Sequence, residues 1–374
     1  MKKDVLVIGQ GICGTFLTWW LEQKGLSFIV IDQERPSTAS RSAAGLINPV
    51  TGRRIVKTWM IDELLSFAEN AYASISRELQ RSGFLPAAVN LLKPARVIDF
   101  FPTPQMRLAF LKRLEEDPQY LELPTDEQKW STQFRYDLGY GMITSCYLAD
   151  LPDLLPTYRR RLLQRDALRP VTFNPAALTV TENNVQYDDI TARHIIFCDG
   201  IESFHSPYFS LLPFAPNKGE ALILEIPDWP PPGSSPGSPT PVDASATPIF
   251  KKGMTLAPWK DGLFWVGSSY EWSFTDPNPT DNFRQRTEAF LKDWLKPSFR
   301  ILDHIASVRP ATLERRPFVG FHPLHPTVGI LNGMGTKGCS LAPYFAHQLV
   351  EHIVNGKPIQ PDADVRRFTK ILSR

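Results

Sequence analysis

The stretch Lys3-Asp4-Val5-Leu6-Val7-Ile8-Gly9-Gln10-Gly11-Ile12-Cys13-Gly14-Thr15-Phe16-Leu17 decides how the rest of the chain is read. Val5 to Ile8 is a short, unbroken apolar run, the pattern of a parallel strand buried on both faces. Glycines follow at G-x-G-x-x-G spacing. Gly9 suits a tight turn, Gly11 lets backbone N–H groups approach a pyrophosphate, and Gly14 lets a new helix lie close to the sheet. That helix is expected over 12–24, stopping at Gly25. A second strand, Phe28-Ile29-Val30-Ile31, runs into Asp32, about twenty residues beyond the first glycine, where an acid accepts hydrogen bonds from ribose hydroxyls. Glycines at this spacing also occur in plain βα turns. Strand, glycines, helix, strand and acid in that order point to a dinucleotide cradle.

With 374 residues the chain has the length of two domains, or of one with a large insertion. Its 43% hydrophobic and 21% charged residues are those of a soluble globular protein. A net charge of +2 gives no bulk reason to expect a polyanion or a membrane surface as partner. Arg53-Arg54, Arg159-Arg160-Arg161 and Arg315-Arg316 read as solvated faces, or as phosphate or carboxylate contacts, and no nucleic acid is expected. Cys13, Cys146, Cys198 and Cys339 form no C-x-x-C pair and no metal-ligand spacing, so they read as reduced and buried in a cytoplasmic protein without a metal site. The apolar run after Met1-Lys2-Lys3 is far too short for a signal peptide, and no apolar stretch reaches the ~18 residues of a membrane span.

Beyond Asp32, residues 35–49 are rich in small side chains, which pack poorly as core and suit a flat, rigid partner; a plain surface loop is the alternative. Residues 57–81 carry apolar side chains at helical period. Strands are expected near 90–101, a helix around 104–116, and a helix capped by Asp150 with Pro152 in its first turn. Strands near 170–173, 177–181 and 185–187 precede His194 to Gly200, a buried strand that resumes the first sheet. Lys218 to Ile226 alternates as a strand, 227–246 reads as an exposed Pro-, Gly- and Ser-rich loop, and strands follow over 247–252, 254–258 and 263–269, with Asp261-Gly262 as a hairpin turn. In the tail, Val328 to Leu331 feeds the glycine loop 333–338 and then a helix with Leu341, Phe345, Leu349 and Ile353 on one face. This makes a second ligand-facing helix N-terminus.

On these motifs the chain resembles the flavoprotein family of D-amino-acid oxidase, glycine oxidase and sarcosine oxidase, including the FAD-dependent half of the bifunctional tRNA methylaminomethyluridine enzyme. The resemblance covers nearly the whole length. It rests on Gly9 to Gly14, the small-residue stretch Ser40 to Gly45, the strand end Phe197-Cys198-Asp199-Gly200, Val308-Arg309-Pro310 and the loop Gly333 to Gly338. It implies an α/β fold: a discontinuous Rossmann-like FAD-binding domain with a parallel sheet (1–83, 139–215, 300–374), and an α+β substrate domain with a mainly antiparallel sheet (84–138, 216–299).

The resemblance also implies site roles. Gly9, Gly11, Ile12, Cys13, Gly14, Asp32 and Gln33 match the positions around the pyrophosphate and adenosine ribose. Ser40, Arg41, Ala43, Ala44, Gly45 and Leu46 match the stretch beside pyrophosphate and flavin, and Val171, Cys198, Asp199 and Gly200 further cofactor contacts. Gly333, Met334, Gly335, Thr336, Lys337 and Gly338 match the loop whose amides face the flavin pyrimidine. Arg309 matches the arginine that clamps a substrate carboxylate; its other reading is a structural ion pair. Lys337 departs from the small or histidine-like residues usual in that loop, and is read either as a catalytic charge near the flavin or as uninvolved. Tyr270 is either a substrate contact or, preferably, a packed aromatic. Lys218 is either near the flavin or, preferably, exposed. Ala311 to Arg316 has no Cys and Ser37 to Pro49 no His, so FAD is expected to be non-covalent, with Cys339 the one thiol near the tail loop.

The activity implied is removal of a hydride from the CH–N bond of a small amine or amino acid to flavin N5, giving an imine that hydrolyses. Two other readings stand beside it. Cys198-Asp199-Gly200-Ile201-Glu202-Ser203 resembles the D-G-x-x-S fingerprint of NAD(P)H-dependent flavin hydroxylases, although the Asn332-Gly333-Met334-Gly335 tail does not. A non-redox FAD-binding module or RNA-modification partner is the second; a plain NAD dehydrogenase is disfavoured by the return of the last helix to the cofactor.

Overall fold

A computed structural model describes residues 1–229 and 246–374. Most of the Pro-, Gly- and Ser-rich stretch expected as a loop lies outside the described residues.

The chain opens with β1 (Lys2–Ile8), α1 (Ile12–Gln23) and β2 (Phe28–Ile31), as the first stretch requires. Next comes α2 (Ile61–Arg81), shorter at its start than the apolar period suggested. Val56–Lys57 pairs instead with Val50–Thr51 in a hairpin. Ile61, Leu64, Leu65, Ala68, Tyr72, Ile75 and Leu79 of α2 are all buried. Burying each large side chain contributes on the order of 1.5–3 kcal/mol, so tertiary packing rather than propensity holds this helix. There follow β3 (Leu92–Phe100), α3 (Pro104–Glu116), β4 (Tyr140–Ala149) and α4 (Leu151–Gln164), whose N-cap Asp150 accepts a hydrogen bond from the Asp153 N–H. The second half runs β5 (Ile190–Phe197), β6 (Asn217–Glu225), β7 (Thr247–Lys252), β8 (Met254–Pro258), β9 (Phe264–Gly267), α5 (Asp281–Trp294), β10 (Arg300–Arg309), β11 (Val328–Asn332) and α6 (Gly338–Asn355).

Two large sheets result. In the first, β5, β1 and β2 are parallel neighbours, β11 adds to β5 in parallel, and the short strands 178–180 and 185–187 extend the β5 side. The expected strand at 170–173 does not form; Leu168–Arg169 pairs with β2 in its place. The second sheet runs β10-β6-β9-β8-β7-β3-β4 and is antiparallel except for the β7–β3 pair. Residues 140–149 and 300–309, grouped by the sequence reading with the first sheet, pair in the second. The early loop also joins it, Leu46–Ile47 pairing with Leu148 and Tyr147. Trp265 Nε1 donates to the Ser42 carbonyl at 3.0 Å, a second tie between this sheet and the early small-residue stretch. All four cysteines are buried and free. No helix among the described residues is long and apolar enough to cross a membrane.

Candidate active site

A cavity of about 810 Å³ lies between the C-terminal ends of the parallel strands and one face of the second sheet. Its first wall is the N-terminus of α1. Gly9 has φ +97° and lies so near β5 that a Cβ would come 2.6 Å from the Cys198 carbonyl oxygen. A Cβ on Gly14 would stand 2.0 Å from the Gly9 oxygen, so only glycine lets the helix begin this close to the turn. The first N–H groups of α1 have no partner within the helix. One of them is met by the chain itself: Ile12 N–H donates to Ser40 Oγ at 3.1 Å.

Asp32, at the end of β2, is less free than an acid reserved for a ribose. It accepts from the Gln10 and Glu34 amides, both at 2.8 Å, and from Arg159 Nη1 at 2.6 Å. A carboxylate offers about four acceptor positions, so one remains for a ligand hydroxyl. Arg159 is buried and also meets Glu34 at 2.9 Å, while Arg161 is buried between Glu22 and Glu78. The triple-arginine run is therefore not a solvated face. Its two outer members sit two residues apart on α4 and neutralise acids of three other segments.

The opposite wall is the N-terminus of α6. Gly335, Thr336, Lys337 and Gly338 line the cavity, and Lys337 occupies the N-cap position. Its ammonium makes no ion pair among the described residues. Burial, followed by the nearby Arg316 and Arg315 charges, lowers its pKa. Arg316 lies over Trp59, 4.3 Å from the ring centre.

Asp199 forms the third side. Burial raises its carboxyl to about 7 against the pull of a hydrogen bond from Ser203 Oγ, and Asn332 Nδ2 donates both to Ser203 Oγ at 3.0 Å and to the Gly200 carbonyl at 2.8 Å. The D-G-x-x-S pattern is thus used to lock the end of β5 to the end of β11.

Arg309 ends β10, an edge strand of the second sheet. Nη1 donates to Asn217 Oδ1 at 2.6 Å and Nη2 to Ser268 Oγ at 2.7 Å, with the Ser269 carbonyl 3.4 Å from each. Its guanidinium lies 5.2 Å from the Tyr270 ring centre. No carboxylate pairs with it among the described residues, and burial lowers its pKa. Gly219 makes the room: a Cβ there would fall 1.9 Å from Nη2. A partly desolvated guanidinium on the wall of a cavity, with no counter-ion among the described residues, has the chemistry to attract an anion.

Most of the expected cofactor residues line this cavity: Gly9, Gly11, Ile12, Cys13, Asp32, Gln33, Ser40, Ala43, Ala44, Gly45, Leu46, Val171, Cys198, Asp199, Gly200 and Met334, besides the four of the α6 terminus. Three do not. Gly14 lies behind the turn, Arg41 pairs with Glu34 at 3.1 Å, and Gly333 faces the Thr312 side chain and Phe318. Two further expectations are corrected. Lys218 is not exposed but 2% accessible, its ammonium 3.4 Å from the fully buried Glu220. Strand alternation sends Lys218 and Glu220 to the face shared with Leu222 and Leu224, while Gly219 and Ala221 turn to the cavity. Glu220 in turn holds His304 and caps α5 through Thr280. Tyr270 is not packed away but 51% exposed at the cavity wall. Asn217, bonded to Arg309, and the cavity-lining Ser268, Trp265 and Lys251, the last paired with Asp99 at 2.7 Å, were missed. The small residues at alternate positions 219 and 221 were the available signal for a face laid against a ligand.

The cavity's chemistry fits FAD: two helix N-termini with unfilled amides face one space, a carboxylate with a free acceptor position stands beside the first, and a lysine without a counter-ion beside the second. Comparisons with known proteins agree. The family model described as FAD dependent oxidoreductase (DAO) matches residues 4–352. Glycine oxidase of Pseudomonas putida is 22% identical over 383 residues, covering 96% of both chains. The crystal structure of glycine oxidase from Geobacillus kaustophilus superposes with a TM-score of 0.75 at 15% identity, covering 96% of each chain. Iminodiacetate oxidase from a Chelativorans species gives 0.70 at 21% identity, again over 96% of each. At these identities the structural likeness shows the fold.

Proposed function

Because the chain belongs to the DAO family of FAD-dependent oxidoreductases, we propose that it oxidises the CH–N bond of a small amino acid or secondary amine that carries a carboxylate. The observation behind this reading is Arg309, a guanidinium on the cavity wall whose contacts are all neutral. FAD, when bound, supplies the two-electron acceptor. The amides of Gly11 and Cys13 with the Ser40 hydroxyl would hold its pyrophosphate, Asp32 a ribose hydroxyl, and the 335–338 segment the far end of the ring.

The protein's own work is binding and orientation. Two N–H groups of a planar guanidinium fix both the position and the plane of a carboxylate, and thereby the direction of the α-hydrogen. An amine that arrives neutral leaves no proton for a side-chain base to remove before hydride loss. The imine product takes up water and separates into a carbonyl compound and an amine. Lys337 and the first amides of α6 place positive charge at the opposite end, where it stabilises negative charge that develops there.

The reading is tested by mixing the yellow protein anaerobically with a panel of amino acids and secondary amines, each beside its amide or ester. Bleaching by at least one carboxylate, and by its neutral counterpart far more slowly, is the expected result. Bleaching by NADPH alone, or by no amine, counts against it.

We also propose that FAD is held without a covalent bond. Cys339 is the thiol beside the tail loop, and burial pushes its pKa up to about 12, so it stays protonated and unreactive at neutral pH. Acid precipitation is expected to leave a white pellet and a yellow supernatant; a pellet that keeps its colour overturns the proposal.

A further inference from the structure

We propose that Asn217 is a positioning residue that keeps Arg309 both aimed and without a counter-charge, and so sets a preference for substrates bearing a carboxylate. The inference rests on the clamp reading of Arg309.

Asn217 begins β6 directly opposite Arg309 in the β6–β10 ladder and is 0% exposed. A guanidinium only donates, so the amide must turn its oxygen to Arg309, at 2.6 Å. That leaves Asn217 Nδ2 buried with no hydrogen-bond partner. A buried amide left half-satisfied weakens a fold, and a native example calls for an explanation. An aspartate has the same shape, would leave no N–H orphaned, and would meet the guanidinium as an ion pair. It would also cancel the charge. With Asn217, the guanidinium is held by an amide oxygen, the Ser268 hydroxyl, the Ser269 carbonyl and the face of Tyr270, all of them neutral. Glu220 lies close in sequence but is taken by Lys218, His304 and Thr280. The arrangement fixes the fork in place and leaves its whole positive charge to a ligand, at a cost in satisfied hydrogen bonds. Such a trade is the mark of a site built for binding.

The experiment compares holoprotein of wild type, N217D, N217L and R309M. Affinities for glycolate and for its neutral isostere glycolamide are read by titration calorimetry and by perturbation of the flavin spectrum, with melting temperature and flavin content as controls. N217D is expected to lose about 30- to 100-fold in glycolate affinity, the worth of one charge-assisted contact, with glycolamide changed little and the melting temperature not lowered. N217L keeps the charge and loses only the aim, so it should fall less than tenfold and still prefer glycolate. N217D binding glycolate as wild type does, while R309M has lost it, overturns the role of Asn217 and leaves the clamp standing. N217L losing as much as N217D at unchanged melting temperature overturns it too, since charge would then not matter. If N217D fails to fold, N217L decides: a loss of tenfold or more in glycolate affinity at unchanged melting temperature, or a lost preference for glycolate over glycolamide, overturns the role. R309M retaining wild-type glycolate affinity, or wild type binding neither probe, removes the clamp reading itself.

Discussion

Exchange of Arg309 for methionine is expected to lower kcat/KM for a carboxylate-bearing amine by about 10²–10³-fold, mostly through KM, while flavin content stays at the wild-type level. Two charge-assisted hydrogen bonds to one carboxylate are worth about 3–4 kcal/mol once the site is desolvated, which converts to that factor. Methionine fills similar volume, so the wall of the cavity should not collapse. The partition follows from where the residue sits. Arg309 belongs to the second sheet, and none of its side-chain hydrogen bonds goes to either helix N-terminus. Its loss therefore removes binding and alignment of the substrate and spares the cofactor. A smaller fall in kcat, about tenfold, is expected from poorer alignment of the α-hydrogen. Steady-state kinetics with the best substrate of the amine panel, beside the visible spectrum of the purified variant, measures both. Unchanged KM would remove Arg309 from the mechanism.

Gly14→Ala acts on the other half of the molecule and is expected to abolish the yellow colour. The new methyl carbon would stand 2.0 Å from the Gly9 oxygen and 3.0 Å from its carbonyl carbon. Backbone atoms cannot rotate away as a side-chain end can, so α1 must retreat from the turn that positions its N-terminus. Overpacking of this kind costs about 1–3 kcal/mol or more, and the retreat pulls the helix amides from the pyrophosphate site. Flavin occupancy, read as the ratio of visible to ultraviolet absorbance, should drop at least about tenfold, and the denaturant midpoint should fall with it. A G14A protein that purifies yellow and melts like wild type would show that α1 does not form the cradle.

The glycine turn, the helix behind it and Asp32 were legible because each is local. A backbone that must turn within a few residues, and a helix that must start at a strand end, leave their requirement in neighbouring positions. Period-2 alternation likewise pointed to a strand over 218–226, which forms at 217–225, the strands expected at 247–252 and 254–258 form there, and the cap of α4 followed from Asp150 and Pro152. The resemblance carried the rest of the cofactor cavity.

Where charges ended up was another matter. The run 159–161 gives no sign that Arg159 and Arg161 lie buried against acids from residues 22–78, since the partners are separated by more than 80 residues. Lys218 looked like a surface lysine because its burial depends on Glu220, His304 and the capped α5 lying on the same face. The sequence by itself determined that a glycine-rich helix start stands near each end of the chain, because glycines and helix starts are properties of the nearby chain. Only the tertiary structure decided that Arg309 carries a charge no carboxylate among the described residues neutralises. Whether a cation has a counter-ion depends on side chains from every element packed around it, and here β6, β10 and the segment after β9 all present neutral ones.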